Sequence, residues 1–171
     1  MRGNLQTRIA KMRDGACDAL MLAHAGVSRM GYEDMVVHTF PEQLFVPPVG
    51  QGCIAVEASS RLGKEKKELV RRAFNDRETE YCLTTERAFL REIEGGCSVP
   101  VFGLARVVRE DILFHGGIVS LDGSILLRCC ERGSREEAAA IGERAGRTIL
   151  ENGGRNLLGQ IKKEQAQERS L

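Results

Sequence analysis

The residue best placed to do chemistry is Cys97, which follows Gly95 and Gly96 and precedes Ser98, Val99 and Pro100. A thiolate is the strongest side-chain nucleophile available near neutral pH. Two glycines in front of it permit a tight turn with positive φ and leave space beside the backbone. Pro100 then favours an extended chain, so the sulfur is expected to project from a loop at the end of a helix. The competing reading is a small structural thiol after a helix stop, the usual role of a free cysteine. A second group, Arg2 and Arg8, flanks the start of the first predicted helix. A guanidinium binds carboxylates through paired hydrogen bonds, and a helix N-terminus itself favours anions. Against this stands the reading of both as solvated surface arginines.

Other chemistry-bearing residues carry less. Cys17, Cys53, Cys82, Cys129 and Cys130 form no C-x-x-C pair, and no histidine stands at metal-ligand spacing to them. No metal is therefore expected. Without a signal-peptide pattern, disulfides are not expected either, and most of these thiols should be small core residues. Gly50-Gln51-Gly52, with Ala55 in third place, formally matches the loose dinucleotide fingerprint. It follows Pro47 and Pro48 rather than a strand, and a strand rather than a helix is expected next, so the match is rejected. His24, His38 and His115 are isolated, and His24 reads as a satisfied structural histidine. Arg87 fits an ion-pair role as well as a functional one.

The elements that would position these groups follow from periodicity. Asn4 is a plausible N-cap for a helix carrying Leu5, Ile9 and Met12, with Gly15 as its stop. Residues 19–23 and 35–40 read as strands, with a turn and possible short helix over 26–31, which suggests an α/β layer too small to close a core alone. Pro47 and Pro48 forbid a helix, and residues 54–57 read as another strand. Helices are predicted over 62–75 and 78–94. Residues 99–108, 112–121 and 124–130 read as three strands, the last two joined by Asp122-Gly123, a strong hairpin signal. Helices over 136–152 and about 156–163 follow, with Gly153 and Gly154 between them and a charged tail expected to fray. The fold class is thus α/β followed by a compact α+β unit.

Composition sets the outer limits. The chain has 171 residues, 42% hydrophobic and 29% charged, near globular averages, so disorder is not expected. A formal net charge of +1 gives no bulk electrostatic reason to expect a nucleic acid or a membrane surface as partner. No apolar run approaches bilayer-spanning length, and the expected location is cytoplasmic.

Three segments together carry a resemblance to one family. The first is Arg2-Gly3-Asn4-Leu5-Gln6-Thr7-Arg8, with Asp18-Ala19-Leu20-Met21-Leu22-Ala23 and Gly26-Val27-Ser28-Arg29 after it. The second is Pro48-Val49-Gly50-Gln51-Gly52, leading to Glu57. The third is Glu86-Arg87-Ala88-Phe89-Leu90 followed by Glu94-Gly95-Gly96-Cys97-Ser98-Val99-Pro100. In type, order and spacing they resemble hydroxymethylbilane synthase (porphobilinogen deaminase), from Arg2 to about Gly154, and most specifically in the loop around Cys97.

The resemblance implies a transferase of tetrapyrrole and haem biosynthesis. The family joins four porphobilinogen molecules head to tail, releasing ammonia each time, on a dipyrromethane primer held by a cysteine thioether. It implies Cys97 as that cysteine, with Arg2, Arg8 and Gly96 at the cofactor and Arg29 and Arg8 at the carboxylates of the substrate and growing oligopyrrole. It implies domains at residues 1–51 (the C-terminal part of domain two), 52–76 (a returning piece of domain one, after a hinge at the glycines) and 77–171 (domain three, carrying the cofactor). The first two would be parts of a two-lobed, binding-protein-like architecture. The N-terminal half of the family, with its proton-handling aspartate, has no counterpart here, so no acid/base catalytic residue is expected in this chain and the chain alone is expected to be inactive. A separate N-terminal polypeptide or self-association would then complete it. The alternatives are a non-catalytic small-molecule-binding or interaction fragment, and a truncated product without function.

Overall fold

The computed structural model describes residues 1–94 and 99–168, which divide into two compact units, Met1–Pro41 and Glu42–Leu171. Gly95, Gly96, Cys97 and Ser98 lie outside the described residues.

The first unit is helical. Helix α1 (Leu5–Arg13) begins where the side chain of Asn4 accepts the Thr7 amide at 2.9 Å, the expected cap. It ends at Asp14, after which Gly15 takes φ +81°. Helix α2 (His24–Arg29) and a short 3-10 turn (Glu33–Met35) follow. Only Ile9 and Val27 are buried apolar residues here.

Three predicted strands do not form. Residues 19–23, 35–40 and 54–57 are not in strands, and Val37 and Ile54 are 97% and 84% exposed. A strand exists only by pairing its backbone with another. Apolar alternation marks a face that wants burial but does not supply the partner, and among the described residues every strand lies after residue 100. Residues 1–76 therefore show helices and extended segments in place of the predicted α/β layer.

The second unit holds the main core. Helix α3 (Lys64–Phe74) packs loosely, with Leu69 and Phe74 largely exposed. Helix α4 (Arg77–Glu92) is capped by Asp76, whose carboxylate accepts the Thr79 amide at 2.7 Å. Strands β1 (Val101–Val108), β2 (Asp111–Val119) and β3 (Leu126–Ser134) form an antiparallel sheet in the order β1-β2-β3. The turn before β3 is closed by Asp122, which accepts from the hydroxyls of Ser120 and Ser124 and the Ser124 amide. This turn absorbs Ser124 and Ile125, so β3 starts and ends later than its apolar residues suggest. Its polar end is held by Arg132, which pairs with Asp111 across the strands at 2.8 Å.

Helix α5 (Ala138–Ile149) bends through Leu150–Gly154, where Gly153 has φ +102°, straight into α6 (Arg155–Glu168). The expected frayed tail is thus helical to Glu168, in keeping with the helix propensity of its Lys, Glu, Gln and Ala residues. Ile112, Phe114 and Ile118 of β2 meet Phe89 of α4, Ile93 at its C-cap, and Ile141, Ala145 and Ile149 of α5, all nearly or fully buried. No helix among the described residues is long and apolar enough to cross a membrane.

Candidate functional site

The arginines predicted from the sequence lie in the first unit, around α1. The Nε of Arg8 donates to the Gly3 carbonyl at 2.9 Å, and Lys11 Nζ approaches the Arg2 carbonyl at 3.4 Å. Gly3 sits at φ +126°, where a Cβ would lie 2.9 Å from the Thr7 methyl. A side chain at that position would thus be strained twice over, by backbone conformation and by contact. The side chains of Arg8 and Lys11 thus reach back to the backbone of Gly3 and Arg2 at the start of α1, whose first amides face the same end. Arg2 is exposed and Arg8 half-buried. Such a set of forked donors and helix amides suits a carboxylate. Arg29, exposed in the last turn of α2, belongs to the same unit. His24 is exposed at the first position of α2.

In the second unit, α4 carries the chain towards Cys97. Its last turn is fixed by Phe89 and Ile93, which are 0% and 1% exposed. Glu94, the last described residue before Cys97 in sequence, has φ +52°. The placement of Cys97 and Gly96 lies outside the described residues. Of the described cysteines, Cys82 and Cys129 are half-buried and pack against the core as expected, Cys17 is half-buried in the first unit, and Cys53 and Cys130 are exposed. Burial, then the charge of Glu131, pushes the Cys129 thiol up to about 12.

The sequence reading overlooked Glu86. It is only 5% exposed, and its carboxylate is shared between two backbone amides. Oε1 accepts from Ala105 at 2.9 Å and Oε2 from Gly50 at 2.7 Å. Burial raises its pKa, and the hydrogen bonds from Ala105 and Gly50 oppose that rise. A signal was available: Glu86 lies on the buried side of α4 with Thr85, Ala88 and Phe89, a position where an unpaired charge is costly. Glu86, Cys82, Ala105 and Gly50 line a cavity of about 360 Å³. A larger groove of about 910 Å³ runs beside it, with Ile54, Val56, Val70 and Phe74 on its apolar walls and Arg87 and Arg91 along α4. Arg87 makes no ion pair among the described residues.

Comparison with known proteins agrees with the sequence motifs. A family model described as "Porphobilinogen deaminase, dipyromethane cofactor binding domain" matches residues 1–67. A second, "Porphobilinogen deaminase, C-terminal domain", matches residues 80–151. The porphobilinogen deaminase of Desulfosudis oleivorans is 52% identical over 165 residues, 96% of this chain and 53% of the relative. That of Cytophaga hutchinsonii is 48% identical over 163 residues, 95% of this chain and 52% of the relative. That of Rubrobacter xylanophilus is 43% identical over 163 residues, again 95% and 52%. With both models matched in sequence order, the chain belongs to the porphobilinogen deaminase family. It spans about half the length of the curated relatives it matches.

Proposed function

We propose that this chain provides the C-terminal part of a hydroxymethylbilane synthase, the transferase that condenses porphobilinogen stepwise on a dipyrromethane primer with release of ammonia. The observation that carries the reading is the pair of family models over residues 1–67 and 80–151, the second of which covers Gly95-Gly96-Cys97 and most of the helix that precedes them in sequence. In this reading residues 1–51 belong to domain two, 52–76 return to domain one, and 77–171 form domain three. The first two segments would belong to a two-lobed architecture. The compartment would be the cytoplasm.

Dipyrromethane is a polycarboxylate, and the donors at the start of α1 suit that chemistry. Arg2 and Arg8 would hold its carboxylates, with Cys97 as the covalent anchor and Gly96 leaving room beside it. Arg8 and Arg29 would bind carboxylates of the incoming porphobilinogen and the growing chain. When bound, the primer supplies the pyrrole carbon on which the product grows. The role of this chain's residues is to anchor, orient and neutralise charge.

The test is intact mass spectrometry after exposure to porphobilinogen, alone and mixed with the half of the Desulfosudis oleivorans relative that this chain does not match. The mixture should give an adduct of two pyrrole units on this chain, and Cys97→Ser should abolish it. Turnover should need both polypeptides. Normal turnover by this chain alone would refute the dependence, and no adduct in the mixture would refute the anchor. The exposure of Ile54, Val56, Leu69 and Phe74 also suits a second reading, a non-catalytic interaction fragment or a self-associating one. That reading expects association without an adduct.

A further inference from the structure

The outer edge of β1 is closed without another strand. Its outward amides fall at every second residue, and each meets a different partner. Gly103 donates to the Pro47 carbonyl at 3.0 Å, Ala105 donates to Glu86, and Val107 meets the Cys82 thiol through its backbone. Cys82 and Glu86 are one helical turn apart, about 6 Å along α4. Val107 and Ala105 are two strand residues apart, about 6.8 Å. The near-match lets a stripe of helix side chains serve the amides of a strand.

Residues 42–50 are fastened along this sheet as a strap. Glu42 pairs with Arg106, Arg128 donates to the Leu44 carbonyl at 3.2 Å, and Pro47 accepts from Gly103. Pro47 and Pro48 have no amide to continue the pairing. Two residues past Pro48, the amide of Gly50 donates to the second oxygen of Glu86. Immediately beyond, Gly50 and Gly52 have φ +72° and +84°, and among the described residues 54–58 make no backbone–backbone hydrogen bond.

We propose that Glu86 is a positioning residue: its buried carboxylate replaces the missing strand, pins the strap at Gly50 to the edge of β1, and so sets the point at which the chain becomes free to turn. The role acts through the Gly50 and Ala105 amides, and it stands whether or not the chain takes part in hydroxymethylbilane synthesis. Glu86→Gln keeps the size of the side chain but leaves it one good acceptor where two donors converge. Ala105 keeps its bond and Gly50 loses its partner.

Amide hydrogen exchange resolved by NMR on the full chain tests this. In the wild type, Gly50 should be protected while residues 54–58 should exchange freely. In Glu86→Gln, Gly50 should exchange at least about tenfold faster while amides of β2 and α5 keep their rates. A merely structural loss would instead speed exchange through α5 and β2 together, and that result overturns the proposal, as does unchanged exchange at Gly50. If Glu86→Gln does not fold, the wild type decides. Scalar couplings across the hydrogen bonds from both amide nitrogens to the Glu86 carboxyl carbon are expected, and their absence overturns the proposal.

Discussion

Replacing glycine by alanine should have opposite effects in two helices of this chain, and Gly142 is the sharper case. In an exposed helix interior, the change stabilises by about 0.8–1.0 kcal/mol, because glycine loses more backbone freedom on folding. At Gly142 in α5, however, a Cβ would lie 2.1 Å from the Thr85 carbonyl oxygen, 2.8 Å from the Phe89 nitrogen and 2.9 Å from the Ala88 Cβ. The two nearest atoms are backbone of α4, and no rotamer change moves them. The helices must part, and overpacking of this kind costs about 1–3 kcal/mol. The fixed partners put the cost near the upper end, so Gly142→Ala should lose about 2 kcal/mol net. Gly159 in α6 has nothing within 4 Å of its notional Cβ, so Gly159→Ala should gain up to about 1 kcal/mol. Urea unfolding followed by circular dichroism measures both; with a slope of about 2 kcal/mol per molar, the midpoint for Gly142→Ala should fall by about 1 M. A Gly142→Ala protein as stable as the wild type would refute the close approach of α4 and α5, and with it the fixed exit of α4 towards Cys97.

Thiol labelling should follow exposure. With the folded chain at pH 8, Cys53 and Cys130 should react with iodoacetamide first among the described cysteines, and Cys129, pushed up to about 12, should react only on unfolding, as read by peptide mass mapping. The Ser120 hydroxyl, then the Ser124 amide and hydroxyl, hold Asp122 at about 2, below its ordinary 3.8. The stability this contributes is complete above 3.8 and lost as pH falls through about 2; carbon-13 NMR of the Asp122 carboxyl should show a midpoint near 2, and one near 3.8 would remove the turn contacts. Asn4→Ala should cost α1 about 1 kcal/mol, visible as faster exchange of the Thr7 amide. Phe89→Ala, at a fully buried position against Phe114, should destabilise by about 3–5 kcal/mol in thermal or urea unfolding.

What could be read from the sequence depended on whether its cause was local. The Asn4 cap, the glycine stop after α1 and the Asp122-Gly123 turn are satisfied within a few residues, and each formed where the residues placed it. The helix before Cys97 was also legible, from a long apolar stripe ending at glycines. Residues 19–23, 35–40 and 54–57 have the composition of strands, but composition holds no information about a pairing partner. Glu86 was passed over for a related reason: its two bonds run to Gly50 and Ala105, far away in sequence, so its burial has no local signature beyond a charge on an apolar face. The thiols were expected inside because cysteine is usually buried, yet Cys130 alternates outward on β3 while Cys129 faces in.

The helix stripe along β1 also limits how copies of this sheet could join. A sheet that grows by adding strands needs an accepting margin on each side, and here Pro47, Glu86 and Cys82 occupy the β1 side, leaving, among the described residues, the β3 side. Two molecules could meet β3 to β3 about a twofold axis, but a third would find no margin left to pair with. Any assembly built through this sheet therefore stops at a pair and cannot lengthen into a fibre.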